Sequence, residues 1–179
     1  DLKRFPSTSR ILFVECSGNS NAASRSASQK TAQEAHGLTS TSEWTGVKLS
    51  TLLAQVGIKD GAAWVLAEGA DGAMLSRSVP IDKMLDDAMV AYAQNGEAIR
   101  PENGYPMRMI LPGWEGNINV KWLRRLKIGD KPFMTREETS KYTEPFANGT
   151  SRMFSFRMDA RSLITSPAFP RTIERGWNE

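Results

Sequence analysis

The sequence predicts a mixed α/β (α+β) fold with more strand than helix. Three observations carry that prediction. Short apolar runs rich in branched side chains recur along the chain, separated by Gly, Pro, Asn and Asp. One stretch, Lys48–Val56, sets its apolar residues at sustained helical spacing, with Leu49, Leu52, Leu53 and Val56 following Val47. With 179 residues, 40% hydrophobic and 24% charged, the chain can bury one sizeable core, and it shows no repeat and no second domain.

Taken in order, Asp1–Arg10 is polar around Phe5-Pro6 and reads as a lead-in loop or edge. Ile11–Val14 reads as a short buried strand, and Cys16-Ser17-Gly18-Asn19 turns the backbone at its exit. Ser20–Lys30 is small and polar, the composition of a long loop. The helix over Lys48–Val56 stops at Gly57. Ala63–Ala67 reads as a strand, Glu68–Gly72 as a turn, Met74–Val79 as a strand before Pro80, and Ile81–Leu85 as a short helix. Ala88–Ala93 is a strand leading to a tight turn at Asn95-Gly96. Met107–Leu111 is an apolar strand closed by Pro112-Gly113. Val120–Ile128 is a further strand, with Arg124 and Arg125 solvated. Lys131–Arg152 is polar and turn-rich, and Ser162–Thr165 is a last short extended piece.

The bulk numbers exclude several classes. No apolar run reaches the length of a membrane-spanning helix, and no secretory signal is visible. A net charge of +3 suits an anionic ligand but is too weak to argue for nucleic acid. A single cysteine leaves no internal disulfide. The start at Asp1 without methionine and the end at Glu179 read as a fragment or a processed chain.

Cys16 is the first candidate for chemistry. A lone cysteine is most often a small buried hydrophobe, but this one stands at a strand exit, beside a turn. Asp71 between glycines is ordinarily a turn residue, and Arg108 and Lys121 are ordinarily solvated charges. What sets them apart is a series of blocks. Glu15-Cys16-Ser17-Gly18-Asn19 comes first and Ala67-Glu68-Gly69-Ala70-Asp71-Gly72 second. Ala91-Tyr92-Ala93-Gln94-Asn95-Gly96 then runs into Asn103-Gly104-Tyr105-Pro106-Met107-Arg108. Leu111-Pro112-Gly113-Trp114-Glu115-Gly116 precedes Asn119-Val120-Lys121-Trp122-Leu123. In this order and spacing, over roughly residues 1–128, the blocks resemble the sulfite oxidase superfamily.

The resemblance implies a sulfite-oxidase-like molybdopterin-binding fold, of which residues 1–179 are a part. An upstream segment and a C-terminal dimerisation domain would lie outside the chain, and an oligomer would form through that absent domain. It implies a molybdenum-molybdopterin cofactor (a Mo-pyranopterin) with Cys16 as the metal's protein ligand. Soft thiolate suits a thiophilic metal, and metal binding deprotonates the thiol. Asp71, Asn103, Arg108, Asn119, Val120 and Lys121 would bind the cofactor, with Arg108 and Lys121 pairing with its anionic groups. Glycines 104, 113 and 116 would let backbone approach the ligand. Tyr142 is the nearest match to the family's substrate-side tyrosine. The implied reaction is oxidation of a sulfur substrate by oxygen-atom transfer, with water as the oxygen source.

The departures from the family point to a branch. Asn103 stands where histidine is common, and Ser20-Asn21 replaces an arginine-rich continuation. With His36–Val47, Glu102–Pro106 and Lys141-Tyr142-Thr143, these look most like the molybdenum subunits of sulfane dehydrogenases, which belong to a periplasmic thiosulfate-oxidising system. That branch implies a c-type cytochrome subunit, a sulfur-carrier protein as substrate and a periplasmic location. A less positive pocket and the open, polar Ser20–Lys30 stretch would favour carrier-bound sulfane over free sulfite. The alternatives are a sulfite dehydrogenase, a non-catalytic fragment that keeps the fold without cofactor, and a cysteine hydrolase pairing Cys16 with His36, the sole histidine.

Overall fold

Two β-sheets share one core in a computed structural model that describes residues 1–19 and 31–176. The predicted Ser20–Lys30 loop lies outside the described residues. The first sheet runs β1 (Thr8–Glu15), β2 (Thr39–Lys48), β5 (Met89–Gln94) and β6 (Glu97–Ala98), with β7 (Arg108–Ile110) also paired to β5. The second runs β4 (Ser76–Pro80), β3 (Trp64–Gly69) and β8 (Leu123–Gly129). All these pairings are antiparallel. Helices α1 (Ala32–His36), α2 (Leu49–Val56) and α3 (Ile81–Asp86) complete the order, with a small hairpin of β9 (Glu144–Pro145) and β10 (Ser151–Arg152). The fold is mixed α/β and strand-rich, as the sequence predicts.

The larger core cluster joins both sheets to α2 and α3, through Leu49, Leu53, Val65, Met84, Val90, Met109 and Leu123 among others. The alternation of strand side chains puts Met89, Ala91 and Ile110 on the other face of the first sheet, with Trp44 and Ile99. Thus β5 and β7 are covered on both faces, which explains why Ala88–Ala93 and, apart from Arg108, Met107–Leu111 are apolar at successive positions. Asn95 and Gly96 turn β5 into β6 with φ of 52° and 79°, the left-handed pair that a two-residue hairpin requires.

Several expectations need correction. Ile11–Val14 is not a buried strand. It is the middle of β1, an edge strand, whose alternation leaves Ile11 72% and Phe13 42% exposed while Leu12 and Val14 pack on the smaller cluster. A short apolar run cannot by itself tell an edge from a centre. The strand β2 was not foreseen, because its first half, Thr39–Glu43, is an alternation of small polar residues. The helix α1 was missed too, although Thr31 and Glu34 form a capping box. Val120 and Lys121 precede β8 rather than belong to it, and Trp122 has a φ of 50°. Arg124 and Arg125 are not simply solvated. Both close on the buried Glu68 carboxylate at 2.7 Å. Ser162–Thr165 forms no strand.

Candidate active site

Two neighbouring concavities collect most of the predicted residues. The first, of about 140 Å³, is lined by Asp71, Leu75, Arg108, Gly116, Asn117, Asn119, Val120, Lys121 and Trp122. Strand β7 supplies Arg108, whose Nη1 donates to the Asn103 carbonyl (2.8 Å) and Nη2 to the Asn119 carbonyl (3.0 Å). Its guanidinium stands 5.0 Å from the Trp44 ring. Burial pushes its pKa down to about 10. Its Nε has no hydrogen-bond partner among the described residues. The Lys121 ammonium donates to the Glu102 carbonyl (2.8 Å) and lies 4.3 Å from the Trp122 ring centre. Burial first, then Arg108, pull its pKa down, while Asp71 and Glu102 oppose them. Asp71 Oδ1 accepts from the Leu75 amide at 3.1 Å.

Asn119 and Val120 line this recess, but their polar groups serve the chain. Asn119 Oδ1 accepts from the Leu111 amide (2.7 Å) and its Nδ2 donates to the Glu115 carbonyl (3.0 Å). The Val120 carbonyl accepts from the Met109 amide. Asn103 is separate. Its side chain donates to Gln94 Oε1 at 2.9 Å and lines another concavity with Arg100 and Glu97. Its carbonyl, not its side chain, bonds Arg108.

The second concavity, a cleft of about 390 Å³, is lined by Cys16, Ser17, Gly18, Glu115, Lys141, Tyr142, Thr143, Glu144 and Ser155. Cys16 is exposed at the end of β1, and its Sγ accepts from the Gly18 amide at 3.4 Å. The turn is tightly held. Asn19 Nδ2 donates to Glu15 Oε1 and to the His36 carbonyl, both at 3.0 Å, and Arg161 pairs with Glu15. Tyr142 follows a π-helical turn over Glu137–Lys141 and lines the cleft together with Cys16. Burial and the nearby Cys16 raise the Tyr142 phenol pKa, against Arg77. Burial also raises the Glu115 carboxyl, against its bond from Asn117. His36 does not line the cleft.

The recess and the cleft share the 115–117 turn. Asn117 Nδ2 donates to Glu115 Oε2 (2.8 Å) and Ser17 Oγ (3.4 Å). A Cβ on Gly116 would stand 2.7 Å from the Glu15 carbonyl oxygen and 3.2 Å from the Cys16 nitrogen. Glycine is required here by the close approach of the Glu15–Cys16 backbone. Gly104, at φ +112°, is likewise required by close packing, since an added Cβ would meet the Lys121 Cβ at 2.9 Å. Glu115, Asn117 and the buried Arg77 escaped the sequence reading. Arg77 sits in a strand among exposed-type residues, and no spacing marks it.

Among the described residues no cluster of three or more His, Cys, Asp or Glu side chains could hold a metal ion, and no helix is long and apolar enough to cross a membrane. The model of the oxidoreductase molybdopterin binding domain family matches residues 1–137. Rat (Rattus norvegicus) mitochondrial sulfite oxidase is 27% identical across 98% of this chain, and NADH nitrate reductase from Cichorium intybus is 37% identical across 71%. The chain spans 35% and 15% of these two relatives. The crystal structure of the sulfane dehydrogenase SoxCD from Paracoccus pantotrophus superposes with a TM-score of 0.89 at 48% identity, over 94% of this chain and 43% of that one.

Proposed function

The chain belongs to the oxidoreductase molybdopterin binding domain family, and from that premise we propose that it oxidises carrier-bound sulfane sulfur as part of a molybdenum-cofactor enzyme. The residues present fit such a cofactor. Cys16 offers an exposed soft sulfur donor, and the adjacent recess offers two cations, with a buried Arg108 Nε that has no partner among the described residues. When bound, the molybdenum cofactor supplies two-electron chemistry and oxygen-atom transfer, with water as the oxygen source.

The chain's own residues provide position and charge. Cys16 holds the metal side, and the buried Glu15–Asn19 contact keeps its turn rigid. Arg108 and Lys121 take the anionic end, each already fixed by backbone carbonyls, so little side-chain freedom is lost on binding. Asp71 and Asn119 keep the shape of the recess through backbone amides. Tyr142 lies on the substrate side and presents its phenol, kept protonated at neutral pH, to the cleft.

The observation that carries the reading is the exposed Cys16 thiol joined to the cationic recess through one turn. The likeness to a sulfane dehydrogenase across 94% of the chain supports the finer choice of substrate. In this reading the protein works in the periplasm, takes its sulfur from a carrier protein and passes electrons to a c-type cytochrome subunit. The likeness to sulfite oxidase favours a second reading, a sulfite dehydrogenase acting on free sulfite. Steady-state oxidation of free sulfite against carrier-bound sulfane, by the full-length protein with its cytochrome, separates the two. Higher kcat/KM for the carrier-bound sulfur is expected, and much higher kcat/KM for sulfite reverses the choice.

A further inference from the structure

Arg77 of β4 has a fully buried side chain. A guanidinium there is costly, and burial pulls its pKa down even with Glu138 nearby. Nη1 donates to Asn117 Oδ1 at 2.6 Å. Glu138, the carboxylate 3.9 Å from Nε, is already bound by the Ser78 amide, the Ser78 hydroxyl (3.1 Å) and the Thr135 amide (3.0 Å). Among the described residues neither Nε nor Nη2 has a hydrogen-bond partner. Stability alone does not account for such a residue, since an apolar side chain of like volume is often neutral or better in a buried ionic site.

What distinguishes Arg77 is the pair of side chains it touches besides Glu138. Its guanidinium lies 5.1 Å from the centre of the Tyr142 ring. Its other contact, Asn117, reaches Glu115 and Ser17 beside the thiol. Tyr142 and Glu115 line the Cys16 cleft and come from chain segments far apart in sequence.

We propose that Arg77 is the positioning residue of the Cys16 cleft, tying Tyr142 and Asn117 to one guanidinium so that phenol and thiol keep a fixed spacing. It acts through these two side chains and does not itself meet the substrate. This rests on the cleft being the reacting site. A planar fork can bond Asn117 in its plane while a ring lies over its face. An ammonium keeps the charge but not that geometry.

The test uses full-length, cofactor-loaded protein labelled with 3-fluorotyrosine, the Tyr142 resonance being assigned with Tyr142→Phe. Arg77→Met should shift or broaden that resonance while Tyr92 and Tyr105 hold. It should also lower kcat per loaded enzyme by roughly tenfold to a hundredfold, the scale of small misplacements at a reacting centre, with KM changed far less. Arg77→Lys should fall between wild type and Arg77→Met in both readouts. If Arg77→Met does not fold, Arg77→Lys decides alone and must still move the Tyr142 resonance. An unmoved resonance, or a kcat per loaded enzyme equal to wild type, overturns the proposal. Full turnover in Cys16→Ser would instead sink the reading of the cleft, and leave the resonance test of Arg77 intact.

Discussion

The recess around Arg108 and the cleft around Cys16 share one turn and are built in opposite ways. In the recess, charged side chains are tethered to backbone. Two carbonyls fix Arg108, one fixes Lys121, and Asp71 holds an amide. In the cleft, the thiol itself has one weak contact, from the Gly18 amide, and its place is set by its turn, which the Asn19 bonds hold and under which Gly116 leaves no room for a side chain. The recess therefore tethers its functional side chains directly, whereas the cleft leaves its thiol nearly free on a turn held by hydrogen bonds and by the close approach at Gly116, and the two should break differently.

The sharpest break is Cys16→Ser. It should leave the unfolding free energy within about 0.5 kcal/mol, since the site is exposed, while sulfur oxidation falls to background. Melting curves and turnover of cofactor-replete protein check both halves, and retained turnover removes Cys16 from the chemistry. Next is Gly116→Ala. The new methyl meets backbone that cannot swing away, so stability should drop by about 1–3 kcal/mol, and the Cys16 turn should shift with loss of activity. Denaturant unfolding at wild-type stability would contradict the steric account of the cleft.

On the recess side, Arg108→Ala and Lys121→Ala should each weaken cofactor retention by roughly 1.5–3 kcal/mol, the range for a lost charge-assisted bond. Arg108→Ala should also destabilise the fold, because the carbonyls of Asn103 and Asn119 lose their donor in a buried place. Equal unfolding curves for the two variants would erase that distinction. The smallest effect concerns Glu115. Its carboxyl is raised by burial, so the folded state binds the proton more tightly than the unfolded one. Its contribution is then full below the ordinary carboxylate pKa and is lost as pH rises through the raised value. Glu115→Gln should flatten that part of a stability-against-pH curve, and an identical slope in wild type and variant speaks against it.

The sequence made the recess more legible than the cleft. Arg108 and Lys121 lie in blocks whose order survives translation into space, and both line the recess. The paired apolar strands β5 and β7 were readable because burial on both faces removes polar alternation. Arg77 was not readable. In Met74–Val79 it looks like one polar residue of an alternating strand, and its burial involves Glu138, Tyr142 and Asn117, which lie far from it in sequence. Nor could spacing reveal that Asn103 turns to Gln94, a partner set by the β5–β6 hairpin. Ile11 and Phe13 misled in the other direction, since apolar character said nothing of which sheet edge they occupy.

Cys16 is both exposed and the single cysteine of the chain. Within residues 1–179 Cys16 has no partner thiol, so a disulfide confined to this stretch joins two molecules, and on the reading proposed above each such bond would remove a metal ligand from both. On that proposal a dimer linked through Cys16 would be an inactive form, and its abundance would follow the oxidation history of a preparation.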